Sequence, residues 1–431
     1  MERNDLIKLS VIFLIFGLIY FLPTENERLI SSVMESFRLL RWYAREHVIL
    51  CLLTAFFIAG SIGIFLSQQS VMKYLGAGAK KSLAYGVASV SGSILAVCSC
   101  TVLPLFAGIY KMGAGLGPAT AFLYSGPAIN VLAIILTAKI LGTRIGVARG
   151  VLAVIFSIII GLLMAFIFRN DESEKKVKPV VQNEESSGNI GESAFIVFSL
   201  MLILIFANWG KTSQENTVFY FIYKWKWIFT AVFSLISAIG LHRVMKIPLW
   251  QFCVAILITS GVTFIPGTSP NAVFLVGILL LGIILYCNKG KASAWLESTT
   301  AYAIQIMPLL FAGVAIAGFA LGTPGHEGII PSAWVEKALG GNGIISTFTA
   351  SLAGALMYFA TLTEVPIIQG LMDKGMGEGP AIALLLAGPA LSLPNMLVIR
   401  SIMGTKKTLV FVGLVVVLST LAGYSYVLIF N

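Results

Sequence analysis

The chain has 431 residues, of which 58% are hydrophobic and only 11% charged. Soluble globular proteins carry about 25% charged residues, so a soluble enzyme or binding domain is excluded. Repeated apolar runs near the length that crosses a bilayer mark an integral membrane protein instead. The formal net charge of +10 does not point to nucleic acid, because the basic residues fall in short loops between apolar runs, as topology determinants do.

In chain order, the first run covers residues 6–22, with Arg3 and Lys8 near its start and PTENE after it. No small-x-small cleavage site follows, so it reads as an uncleaved first transmembrane helix. Further apolar runs span roughly 48–66, 83–110, 118–142, 146–168, 194–210, 219–241, 248–265, 272–287, 299–321, 344–371, 380–403 and 408–430, each a candidate span. The fold class expected is an all-α polytopic membrane protein with two homologous repeats, broken or kinked helices and about 10–13 transmembrane segments. The segment 169–193 is polar, carries both charges and lacks apolar periodicity, as a flexible linker does. It separates an N-terminal membrane part, 1–168, from middle spans at 194–298 and a C-terminal part at 299–431.

The five cysteines, Cys51, Cys98, Cys100, Cys253 and Cys287, form no C-x-x-C pair. With three histidines scattered at His47, His242 and His326, no metal centre or cofactor signature is visible.

Residues 88–143 align without gaps onto 350–405 at a constant offset of 262, with about 19 of 56 positions identical, mostly glycine and proline. FIAGSIG (57–63) echoes FAGVAIAG (311–318), which extends the two repeat cores to 57–143 and 311–405. Duplication with binding at the repeat interface is a frequent transporter architecture. Whether the copies run parallel or inverted depends on the number of spans between them; the runs above give parallel.

Within each copy the sequence sets a polar break, a proline, a glycine-rich turn and a Gly-Pro pair. Pro104 and Pro366 lack an N–H and disfavour a helical residue before them, so 83–110 is expected as two half-helices or a kinked one. Backbone freed in this way must face protein or a water-lined cavity, not lipid. Gly117-Pro118 and Gly379-Pro380 read as helix starts, which serve either as tight interhelical turns or as sites for a polar group. Gly126-Pro127 and Gly388-Pro389 interrupt the next runs, with Asn130, Ser392 and Asn395 as polar groups at that depth. Small residues there permit close helix contact.

At the break itself the copies differ. The first has Cys98-Ser99-Cys100-Thr101, and the second has Ala360-Thr361-Leu362-Thr363-Glu364. A carboxylate at membrane depth is a functional candidate by default, and because burial raises proton affinity Glu364 could carry a coupling proton. Paired thiols suit soft, thiophilic ligands; small-residue packing and a strained disulfide are the competing readings. The substrate-binding set is therefore Cys98, Ser99, Cys100, Thr101, Asn130, Thr363, Glu364, Ser392 and Asn395.

The motifs VCSCTVLPL and GMGEGPAIALLLAGPALSLPNMLVI resemble the predicted-permease family that includes the ArsP-type organoarsenical efflux permeases. The resemblance covers roughly 48–168 and 299–430. It implies an efflux permease of the cytoplasmic membrane, without an ATPase domain, moving a small thiophilic or polar solute such as a trivalent organoarsenical. A membrane thiol oxidoreductase using Cys98 and Cys100 is an alternative, as is a membrane subunit of a larger transport complex. No Walker A motif is present in the sequence, and the expectation is a non-enzyme.

Overall fold

The computed structural model describes residues 26–65, 80–95, 99–170, 190–210, 218–323, 326–358 and 364–430. The expected first span at 6–22 and residues 171–189 of the expected linker lie outside them, while 169–170 and 190–193 are helical.

Helix α1 (Glu27–Tyr43) begins where the Asn26 side chain accepts from the N–H groups of Arg28 and Leu29, satisfying donors that have no helical partner. It runs into a π-helical stretch, Ala44–Leu53, and then α2 (Thr54–Phe65); the two arms bend by 49°. Next come α3 (Lys81–Leu95), α4 (Ser99–Lys111), α5 (Leu116–Ala128), α6 (Val131–Ile140) and α7 (Thr143–Ile167). The middle of the chain supplies α8 (Ile190–Ala207), α9 (Val218–Met245), α10 (Leu249–Thr263) and α11 (Pro270–Cys287). The C-terminal part opens on the 31-residue α12 (Lys291–Leu321), followed by a two-stranded hairpin, β1 (Gly322–Thr323) with β2 (His326–Glu327). It closes with α13 (Ser332–Leu339), α14 (Ile344–Leu356), α15 (Glu364–Asp373), α16 (Glu378–Ala387), α17 (Leu393–Met403) and α18 (Thr405–Phe430).

Small residues let these helices approach closely, which is how apolar helices associate where lipid offers no hydrophobic drive. A Cβ on Gly60 of α2 would stand 2.9 Å from the Thr299 nitrogen of α12, and one on Gly318 of α12 would stand 2.9 Å from Ser36 Cα of α1. The fully buried Trp295 donates from Nε1 to the Phe57 carbonyl at 2.7 Å, tying α12 to α2. In the middle part, Phe206 of α8 stacks on Phe229 and Phe233 of α9. Phe195, Phe221, Leu257 and Leu279 stay exposed there, as side chains facing lipid would be.

Among the described residues, five helices are long and apolar enough to span a bilayer, namely α7, α9, α11, α12 and α18, or seven if each bent pair counts as one span. That is fewer than the 10–13 suggested by the apolar runs: the run 6–22 lies outside the described residues, α10 and the apolar part of α8 are under 18 residues, and the four runs that carry the motifs are each divided between two shorter helices. The run 83–110 is α3 plus α4, with Pro104 inside α4 rather than at the division. Pro104 is the sixth residue of that helix, so it withholds only the N–H that would reach Cys100, and the helix continues. The run 118–142 is α5 plus α6, bent by 46°; Pro127 lies in the last turn of α5 and the division falls at Asn130. Pro366 sits third in α15, where a helix needs no N–H donor. The run 380–403 is α16 plus α17, parted by Gly388–Ser392 with Pro389 between. Ser392 caps α17 by accepting from the Asn395 N–H at 3.3 Å.

The glycine turns are interhelical turns. Gly113 and Gly375 take φ of +96° and +103°, a region that side chains with a Cβ rarely enter. Pro118 and Pro380 are third, not first, in α5 and α16. At the start of α16 the Gly379 N–H donates to Asn342 Oδ1 at 3.2 Å, so that donor is spent on the protein itself. Gly117 and Gly379 serve as crossing points. A Cβ at Gly117 would meet Tyr85, the Gly161 carbonyl (2.8 Å) and Ala165 Cβ (2.9 Å). One at Gly379 would meet Val427 Cγ2 (2.7 Å), the Gly423 carbonyl (3.0 Å) and Thr347 Oγ1 (3.4 Å).

Candidate functional site

Helix α7 presents one buried stripe, Ile145, Gly146, Arg149, Ala153, Phe156, Ser157, Ile160, Gly161 and Met164, spaced three and four residues apart. Arg149 is therefore turned into the protein by the same periodicity that buries its apolar neighbours, and it has no solvent exposure. Glu364 opens α15 and is 1% exposed. The Nη2 atom of Arg149 donates to Glu364 Oε2 at 3.1 Å, and Nη1 donates to Thr137 Oγ1 at 3.0 Å. Thr137 in turn donates to the Ala133 carbonyl of its own helix, α6, at 2.7 Å. Three elements thus meet at one guanidinium.

The cluster is incomplete in a specific way. Arg149 Nε and Glu364 Oε1 have no hydrogen-bond partner among the described residues. Buried polar atoms left open cost about 1–3 kcal/mol each, so one open donor and one open acceptor on the same ion pair call for an explanation. Tyr124 of α5 lies within coulombic reach of Arg149 and donates to the Leu386 carbonyl of α16 at 3.2 Å.

Of the residues expected at the site, Cys98 and Thr363 lie outside the described residues. Ser99 and Cys100 open α4, and Thr101 follows them fully buried. Asn130 is buried at the bend between α5 and α6. Ser392 and Asn395 are both buried in the cap of α17. Asn395 Oδ1 is a further buried acceptor without a partner among the described residues. The helices cross in a reciprocal pattern: α4 packs on α17, and α15 packs on α6. A helix of the N-terminal part thus packs on one of the C-terminal part at both places.

Sequence reasoning missed Arg149, Thr137 and Tyr124. An arginine near the start of an apolar run reads like the basic residues that set topology. The available signal was its register, on one face with Gly146, Ala153 and Gly161. A second buried carboxylate, Glu35, was also missed. It pairs with Arg38 at 2.6 Å and accepts from the Thr323 hydroxyl, fastening α1 to the hairpin. Among the described residues no group of three or more His, Cys, Asp or Glu side chains could hold a metal ion.

Residues 33–428 match the family model described as "Predicted permease" (ArsP_1). The UPF0718 protein MJ0584 of Methanocaldococcus jannaschii is 40% identical over 382 residues, covering 89% of this chain and 92% of that protein. Shorter stretches are similar to two further relatives. UPF0718 protein YraQ of Escherichia coli is 41% identical over 59 residues, 14% of this chain and 17% of that one. UPF0718 protein YcgR of Bacillus subtilis is 25% identical over 124 residues, 28% of this chain and 42% of that one. No solved structure matches.

Proposed function

The chain belongs to the predicted-permease family, and from that premise we propose that this multi-pass membrane permease is a secondary transporter whose solute site lies between two homologous repeats. The observation that carries the proposal is the buried Arg149–Glu364 pair. It joins a helix of the first copy to the break of the second, and an intramembrane ion pair marks a transport path by default.

The duplication is supported by register. Helices α3 to α7 and α14 to α18 have starts that agree within three residues at the offset of 262, with Thr143 and Thr405 heading the last pair. The left-handed glycines Gly113 and Gly142 recur as Gly375 and Gly404. The contacts recur as well: Gly117 meets Tyr85, Gly161 and Ala165, while Gly379 meets Thr347, Gly423 and Val427, each the partner 262 residues on. Tyr124 bonds to Leu386, its own equivalent. A contact between equivalent positions lies beside the axis that relates two copies, and Tyr124, within coulombic reach of Arg149, supports reading the Arg149 cluster as lying toward that axis.

The copies are not equal in charge. The equivalents of Glu364 and Arg149 are Val102 and Phe411, both fully buried. One crossing is thus ionic and the other apolar, which gives the two halves of an alternating-access cycle different energies. If Glu364 takes up a proton, Arg149 loses its counter-ion in a fully buried setting, and proton arrival is thereby linked to rearrangement of the junction. The solute is a small thiophilic or polar species such as a trivalent organoarsenical, with Cys98 and Cys100 as soft ligands, and transport is efflux across the cytoplasmic membrane.

Proteoliposome flux tests this reading, using methylarsenite, antimonite and inorganic anions at two pH gradients. Saturable methylarsenite flux by the purified single chain supports it. Absence of flux for every probe in the panel refutes it.

A further inference from the structure

The open valences of the Arg149–Glu364 pair carry chemical information about what sits beside it. The pair is already neutral as a unit, and both side chains are removed from solvent. An added anion or cation would be an uncompensated charge in a low-dielectric interior. A purely apolar group would leave Arg149 Nε and Glu364 Oε1 unsatisfied. Thr137 cannot complete the site, because its hydroxyl hydrogen is committed to the Ala133 carbonyl. What the two open atoms require is one acceptor and one donor, and a single hydroxyl supplies both.

We propose that the open edge of the Arg149–Glu364 pair is a subsite for an uncharged hydroxyl-bearing solute, whose oxygen accepts from Arg149 Nε while its hydrogen donates to Glu364 Oε1. The inference deepens the transporter reading and rests on it for its biological meaning. It is independent of the cysteines, since hydroxyl recognition requires no sulfur chemistry. It separates neutral hydroxy species, which complete the pair, from oxyanions, which the fixed carboxylate repels.

Equilibrium binding to the purified full chain tests this without requiring transport. The probes are boric acid, which is uncharged near neutral pH, hydroxylated and not thiophilic, and inorganic phosphate as the oxyanion control. Thermal stability and tryptophan fluorescence are the readouts. Boric acid is expected to stabilise the protein saturably, and phosphate at equal ionic strength is not. Arg149→Lys keeps a cation opposite Glu364 but removes the second donor on its edge. It should weaken boric acid binding by about tenfold, the worth of one hydrogen bond to a charged group.

Phosphate binding at least as tight as boric acid would overturn the proposal. So would an unchanged boric acid affinity in a folded Arg149→Lys protein. If that variant does not fold, the wild-type comparison decides alone: no boric acid binding means that the open valences are met by ordinary interior water. Binding without flux of any solute in the panel would leave the subsite standing and remove the transport reading, so the two failures are distinguishable.

Discussion

The sharpest consequence of the structure is that Arg149 and Glu364 depend on each other more than the fold depends on either. Their charges stand 3.1 Å apart at 0% and 1% exposure. At an effective dielectric near 20 the attraction is roughly 5 kcal/mol. Removing one partner leaves the other charged and buried, which costs about 3–5 kcal/mol, whereas replacing both with apolar residues of similar volume is often neutral or better. Glu364→Leu and Arg149→Met alone should each destabilise the purified protein by about 3–5 kcal/mol, and the double variant should recover most of that loss. The assay is a double-mutant cycle read by denaturant-induced loss of tryptophan signal, with monodispersity checked by size exclusion. Transport should be lost in all three variants. Additive destabilisation in the double variant would refute the claim that the pair is one energetic unit.

Other expectations are simpler to check. Gly117→Val and Gly379→Val should each destabilise by about 1–3 kcal/mol through overpacking, because the Cβ positions at 2.7–3.0 Å from Gly161, Ala165, Val427 and Gly423 leave no room; comparable losses in apparent melting temperature are the readout. Replacing Cys98 and Cys100 together with serine should abolish methylarsenite resistance in expressing cells, and unchanged resistance would remove the thiol role. Glu364→Gln should abolish any dependence of proteoliposome flux on the pH gradient; a dependence that persists shows that the proton is carried elsewhere.

The helical architecture was legible because it rests on apolar runs and on glycine and proline, whose backbone effects are local. The run-by-run span count was less so. A run of about 24–28 apolar residues reads as one crossing, yet Asn130 and Gly388–Ser392 divide two of them. Proline proved a poor guide to the point of division: Pro104, Pro127 and Pro366 all sit inside helices, because near a helix end the missing N–H removes little or nothing. Glu364 could be picked out from the sequence because an acidic residue in an apolar motif has few bland explanations. Arg149 could not, since an arginine near a helix start looks like the many that flank membrane spans.

That failure has a physical lesson. The charge of a residue says what its burial costs, but only its angular position says whether it is buried. On α7, Arg144 and Arg149 are five residues apart, or about 500° around an ideal helix, which places them some 140° from each other. Arg144 stays exposed while Arg149 joins Gly146, Ala153 and Gly161 against the rest of the protein. Small residues on that face draw the helices together, and the same closeness strips water from the guanidinium. The glycine pattern and the buried arginine are thus parts of one device. Close crossings of α7 with α5 and α6 create the dry setting in which a single carboxylate–guanidinium contact ties α7 to α15.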